Sequence, residues 1–304
     1  MLTKLYLLNH SFRYVKGITV EEIEDKIMSL SPDYDFIKKN GDLVYRHDSI
    51  YDEEIYPDLP LYEFLYNSEK GAKFNRDIRR YLQKIIDHSS KSTLNIGEII
   101  ELLNDHDENN IYGLICLHKI DFIDEKFLIY NKNEWLSFHR YFLGIYPLSE
   151  THFYDESDKY FPNLFFHNII KSSLRNLEGG LFIFSKTIIS ILTALNDIFP
   201  KHFKANPVNL LEILKSFSSD SSIKTTLEGN INRKENLSFV FDYKDSKSKK
   251  ICKEKICCES HMKLGKSDNY SGDSRYYYNR IYFHPGKPHL HQGKVLVCHI
   301  GKHL

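Results

Sequence analysis

From Leu237 onward, apolar residues recur at every second position, whereas between residues 160 and 220 they recur at spacings of three and four. Alternation puts every other side chain on one face of a strand, and the longer spacing draws one stripe along a helix. Blocks of each kind in one chain predict an α+β fold: a mixed α/β N-terminal region, a helical middle and a C-terminal antiparallel β-sheet.

Ahead of residue 155 the periods are interleaved. Residues 3–8 (TKLYLL) read as a strand. Residues 19–30 read as a helix opened by a capping box, because Thr19 is followed three positions later by Glu22. Further helices are expected over 68–86, 94–104 and 133–144, with short strands at 43–46, 111–118 and 126–130. In the middle, 161–174, 181–198 and 208–217 read as helices, interrupted by Gly179-Gly180 and Pro200. The serine-rich run 218–222 reads as a boundary. The expected division is therefore residues 1–155, a mixed sensing or inhibitory domain; 156–225, a helical segment; and 226–304, a basic antiparallel sheet. Its strands are expected at 237–241, 251–264, 276–284 and 294–300, joined by the turn 245–250 and the loop 265–274.

Charge divides the chain in a similar place. Lys+Arg and Asp+Glu are equal at 41 each, yet residues 230–304 carry 12 Lys and 3 Arg against 7 acidic residues, net +8, which leaves −8 on the first 229. A basic stretch beside an acidic one fits a nucleic-acid-binding module on a support domain, or two domains that dock through opposite charge. Loop lysines between 244 and 255 are the plainer explanation.

No apolar run reaches the roughly 20 residues of a spanning helix. The longest, 181–195, is interrupted by Ser185, Lys186, Ser190 and Thr193. The first residues carry no small-residue cleavage site and read as a strand, so no membrane contact is expected and the cytoplasm is the default. Five cysteines (Cys116, Cys252, Cys257, Cys258, Cys298) are an odd, sparse set, expected as reduced thiols.

Sorting the C-terminal strands by alternation gathers His261, Lys263, Tyr278, Arg280, Tyr282, His284 and His299 on one face, with Lys302 and His303 at its end. Lys and Arg hold phosphates, and tyrosines stack on unpaired bases. Cleavage of RNA through its own 2′-hydroxyl needs a base, an acid and a cation beside the phosphorane, roles that His, Lys and Tyr can share without a metal. Tyrosines and histidines covering a half-solvated sheet give the same pattern with no chemistry. Zinc is set aside, since Cys257, Cys258, His261, Cys298, His299 and His303 include no CxxC pair and adjacent cysteines point to opposite faces. Acidic pairs such as Glu21-Glu22 and Asp52-Glu53-Glu54 sit where capping or solvation explains them. No GxxxxGK[ST], GxGxxG, HExxH or GxSxG is present, so no cofactor is expected.

The runs HMKL (261–264), YYYNRIYFH (276–284) and GKVLVCHIGKHL (293–304) resemble the C-terminal half of RelE/ParE-type toxins, over about residues 237–304. The resemblance implies a sheet that cuts mRNA on the ribosome (the RelE branch) or poisons gyrase (the ParE branch). It places functional roles on Lys263, Arg280, Tyr282, His299 and His303, with His261, Tyr278, His284 and Lys302 binding nucleic acid. The whole chain would then be a toxin-like, metal-independent endoribonuclease in growth control or antiviral defence, with RNA and the ribosome as its expected partners. An acidic N-terminal part would inhibit it, or a separate defence-system partner would. The rival is a non-catalytic nucleic-acid- or protein-binding module, a topoisomerase poison included. A third reading puts function in residues 1–155, with His139-Arg140 and the flank Arg76, Arg79, Arg80 as first suspects.

Overall fold

A computed structural model describes residues 2–205, 209–229, 234–244, 249–264 and 278–304. They fall into two compact units, Met1–His139 and Arg140–Leu304.

In the first unit, β1 (Leu2–Leu7) leads through α1 (Val20–Lys39) to β2 (Leu43–Arg46). A small hairpin of β3 (Glu54–Tyr56) and β4 (Leu59–Pro60) follows, then α2 (Leu61–Tyr66), α3 (Arg76–Asp87), β5 (Ser90–Lys91), α4 (Ile96–Leu102), β6 (Asn110–Ile115) and β7 (Leu128–Ile129). The division between the units falls inside α5 (Lys132–Ile145). Five strands form a parallel sheet in the order β5-β2-β1-β6-β7. Chain order reverses between β1 and β6, which is the arrangement of a doubly wound α/β sheet.

Local chemistry accounts for these elements. The Glu22 backbone N–H donates to Thr19 Oγ1 at 3.2 Å and the Thr19 N–H to the Glu22 carboxylate at 2.8 Å, closing the capping box that starts α1. The helix runs well past the expected end at residue 30 because its stripe of Ile23, Ile27, Leu30, Tyr34 and Ile37 stays buried to the last turn. The third helix begins at Arg76, capped by Asn75, and not at 68. Arg79 leaves the solvated flank assigned to it: its Nε donates to the Phe64 carbonyl at 2.6 Å and its Nη2 to the Asn67 carbonyl at 2.9 Å. Those carbonyls lie at the end of α2, where a helix leaves acceptors unpaired.

In the second unit, α6 (Glu150–Tyr160), β8 (Leu164–Phe166), α7 (Ile170–Ser173), α8 (Leu181–Asp197), α9 (Phe199–Ala205) and α10 (Leu210–Ser221) precede β9 (Thr225–Leu227). Then come β10 (Ser238–Lys244), β11 (Ile251–Cys257), β12 (Ser260–Lys263), β13 (Asn279–His284) and β14 (Val295–Lys302). The main sheet runs β8-β14-β13-β12-β9, with β8 parallel to β14 and the other pairs antiparallel; β10 and β11 form a separate ribbon.

Several expectations are corrected here. The stretch 161–174 is not one helix: Leu164 to Phe166 pair with Val295 to Val297 as an edge strand. The expected boundary near 225 falls inside one sheet, which draws β8 from the supposedly helical segment and has β9 straddling the boundary itself. The serine run lies in the last turns of α10, where Ser218 and Ser221 hydroxyls donate back to the carbonyls of Leu214 and Phe217. The long strand 251–264 breaks at Cys258-Glu259 into β11 and β12. The turn residues 245–248 and the loop 265–277 lie outside the described residues. Cys258 and Cys298 are disulfide-bonded, so the expectation of reduced thiols fails for that pair. Leu181–Phe203 is long and apolar enough to cross a membrane by length and composition, but 56% of its most apolar window is buried inside the protein, as in a core helix.

Candidate functional site

Register builds the candidate site on one face of the second unit's sheet. Thr226, His261, Tyr282 and His299 pair in turn across β9, β12, β13 and β14, making one row. Lys263, Arg280 and Gly301 form the next row on the same face. A bulge in β14 between the partners of Tyr282 and Phe283 places Cys298 out of the ladder. Beyond it, the ribbon β10-β11 covers the face: Phe239, Phe241 and Ile256 pack with Leu290, Leu296 and the Cys258–Cys298 pair. The register therefore keeps His261, Lys263, Arg280, Tyr282 and His299 on one face, with the ribbon packed beyond them.

Along these rows, buried polar side chains engage one another. Arg280 Nη1 donates to His261 Nε2 at 2.9 Å and stands 3.7 Å from Glu228 Oε2. His261 Nδ1 faces the Glu259 carbonyl at 3.3 Å, which assigns the ring proton to Nδ1 and the lone pair to Nε2. Burial, and then the Arg280 charge, push the His261 pKa down to about 4, so the imidazole is neutral. The Tyr282 hydroxyl lies 3.1 Å from His303 Nδ1, whose other neighbour is the Leu304 carbonyl at 2.7 Å. His303 Nε2 points toward Glu228 Oε2 at 3.8 Å. Glu228 thus stands between the guanidinium and an imidazole, delivered by the turn after β9, where its N–H donates to the Glu259 carbonyl.

The remaining expected residues separate. His299 is buried, its Nε2–H donating to the Lys302 carbonyl at 2.8 Å, and burial lowers its pKa. Lys302 pairs with Asn279, so alternation puts it on the opposite face from Arg280. His284 lies past the bulge, where its Nδ1 accepts from the Gly286 N–H at 3.0 Å; burial pushes its pKa to about 4. Tyr278 precedes β13 and is 53% exposed. Tyr282 is fully buried and orients His303, so the expected stacking of a base on its ring is corrected. Of the zinc candidates, Cys258 and Cys298 are spent on each other.

Of the alternative suspects in residues 1–155, His139, Arg140 and Arg79 are held in structural contacts, while Arg76 and Arg80 are exposed on α3. His139 and Trp135 both reach the buried carboxylate of Asp42, at 3.0 and 2.6 Å. Arg140 donates to the Tyr160 carbonyl and to Asp197, both at 2.8 Å. Sequence reasoning missed Glu228, which lies outside any alternating run, and it also missed the carboxyl ends of β1 and β6. There Asn9 donates to Ser49 Oγ at 2.6 Å, Ser11 Oγ accepts the Leu117 N–H at 3.2 Å, and burial holds His118 down to about 4. Doubly wound sheets bind ligands at such reversals, but the fingerprint that usually reveals them, a glycine-rich turn, is absent from LLNHSF. No family model, no curated protein and no solved structure matches the chain.

Proposed function

We propose that the C-terminal sheet is a metal-independent endoribonuclease of RelE-like type, acting on mRNA in growth control or defence. The observation that supports this reading is the linked set Tyr282–His303–Glu228–Arg280–His261 on one sheet face. With its Nδ1–H directed at the Leu304 carbonyl, His303 offers Nε2 as the base that takes the 2′-hydroxyl proton; the 2′-oxygen then bonds to phosphorus, the P–O5′ bond breaks, and the departing 5′-oxygen takes its proton from water. Glu228 stabilises the imidazolium that results, as a carboxylate does beside a protonated histidine. Lys263 supplies positive charge for the phosphorane, Arg280, buried beside it, holds His261 and Glu228 in place, and among the described residues Tyr278 is an accessible aromatic for an unpaired base. His261, His299 and Tyr282, being buried, position the others and do not contact RNA.

Burial of Arg280 and Tyr282 favours a second reading, in which the network is structural and the face is a non-catalytic binding module. End-labelled mRNA incubated with the purified protein, with EDTA and in a translating extract, separates the two. Cleavage that persists in EDTA, falls at least a hundredfold in His303→Gln and falls about tenfold in Tyr282→Phe is expected. RNA shifted on a gel but intact in every arm establishes the second reading instead.

A further inference from the structure

The first unit carries an aromatic cluster that the candidate ribonuclease does not use. Tyr51, from the short helical turn after β2, meets Tyr62 and Tyr66, one helical turn apart on α2. Ring centroids are 6.5 Å apart for Tyr51–Tyr62, 6.4 Å for Tyr51–Tyr66 and 5.1 Å for Tyr62–Tyr66, at interplanar angles of 81°, 43° and 49°. The rings are tilted or edge-on to one another and not stacked. Together with Asp52, Pro60 and Glu63 they line a cavity of about 570 Å³. Tyr62 and Tyr66 are 60% and 42% exposed, a cost in apolar surface that folding alone does not require.

The surrounding contacts hold the cluster in place. The Tyr66 hydroxyl donates to Asp87 on α3 at 2.6 Å, and the Arg79 guanidinium caps the end of α2. The cluster already attracts one positive charge: the Arg46 guanidinium lies 5.8 Å from the Tyr51 centroid. Glu63 is engaged with Lys70 at 2.7 Å, which leaves Asp52 as the carboxylate that sets the sign of the cavity.

We infer that this cavity binds a methylated ammonium group of a small organic cation. Tyrosine rings attract a cation through their quadrupole and offer it no strong hydrogen-bond acceptor of their own. That suits a cation with no N–H to donate and a thin hydration shell, and it disfavours a primary ammonium, which must give up strong hydration. Asp52 adds charge selection: a cation is drawn in, and a zwitterion carrying its own carboxylate is repelled.

Titration of the full chain with tetramethylammonium, choline and glycine betaine, followed by NMR of the tyrosine resonances, tests this. Saturable binding of tetramethylammonium and choline is expected, with glycine betaine at least tenfold weaker. Tyr62→Leu, at an exposed position on α2, should weaken choline binding at least tenfold, and Asp52→Asn several-fold. Absence of saturation, equal binding of betaine and choline, or binding unchanged in Tyr62→Leu would each overturn the assignment.

Discussion

Arg280 donates to the neutral Nε2 of His261 at 2.9 Å, so a buried cation depends on an imidazole that must stay unprotonated. His261 in the folded chain has a pKa near 4, below the ordinary 6.5. Between those values the unfolded chain binds a proton that the folded chain does not, so stability is complete above about pH 6.5 and is lost as pH falls toward 4. His284 and His118, also pushed to about 4 by burial, act in the same sense. Urea unfolding at a series of pH values should show this decline, and His261→Gln should flatten it by up to about 1.4 kcal/mol per pH unit. A variant with an unchanged slope would show that His261 titrates normally.

Asp42 accepts from Trp135 and pairs with His139 inside the first unit, with all three side chains buried. Asp42→Ala removes the buried acceptor that Trp135 and His139 share and is expected to cost about 3 kcal/mol. Asp42→Asn keeps one acceptor and should cost less. Denaturant midpoints of the two variants give the comparison.

The disulfide between Cys258 and Cys298 closes a span of 40 residues. Reduction is expected to lower the stability of the second unit by about 2–4 kcal/mol, chiefly by freeing the unfolded chain. Unfolding with and without dithiothreitol measures it, and a Cys258→Ala, Cys298→Ala protein should be indifferent to the reductant.

Gly286 sits at φ +103°, and a Cβ there would run into the Lys294 carbonyl. Gly286→Ala should therefore destabilise by about 1–3 kcal/mol and disturb the turn that leads into β14. A thermal melt of the variant is sufficient.

The parts of this molecule readable in sequence were those fixed by neighbours in the chain. The Thr19–Glu22 box announced α1, and period-two alternation placed His261, Arg280, Tyr282 and His299 on one face, as the register bears out. What the sequence concealed depends on distant partners. Leu164 to Phe166 are as compatible with a helix as with a strand until β14 lies beside them. Alternation cannot say what roofs a face, so the packing of Phe239 and Phe241 over it was invisible, as was the burial of Tyr282. Glu150–Tyr160 was missed as a helix because its residues are mostly polar, with few positions to mark a stripe.

β14 lies between β8 and β13, and it is the last of the sheet's strands to be made. Among the described residues only β14 joins β8 to the rest of the sheet, and some 130 residues of chain separate the two. The same strand brings His299 and Cys298, and His303 follows just after it. The proposed set of Tyr282, His303, Glu228, Arg280 and His261 is therefore incomplete until β14 and the residues just after it have been made.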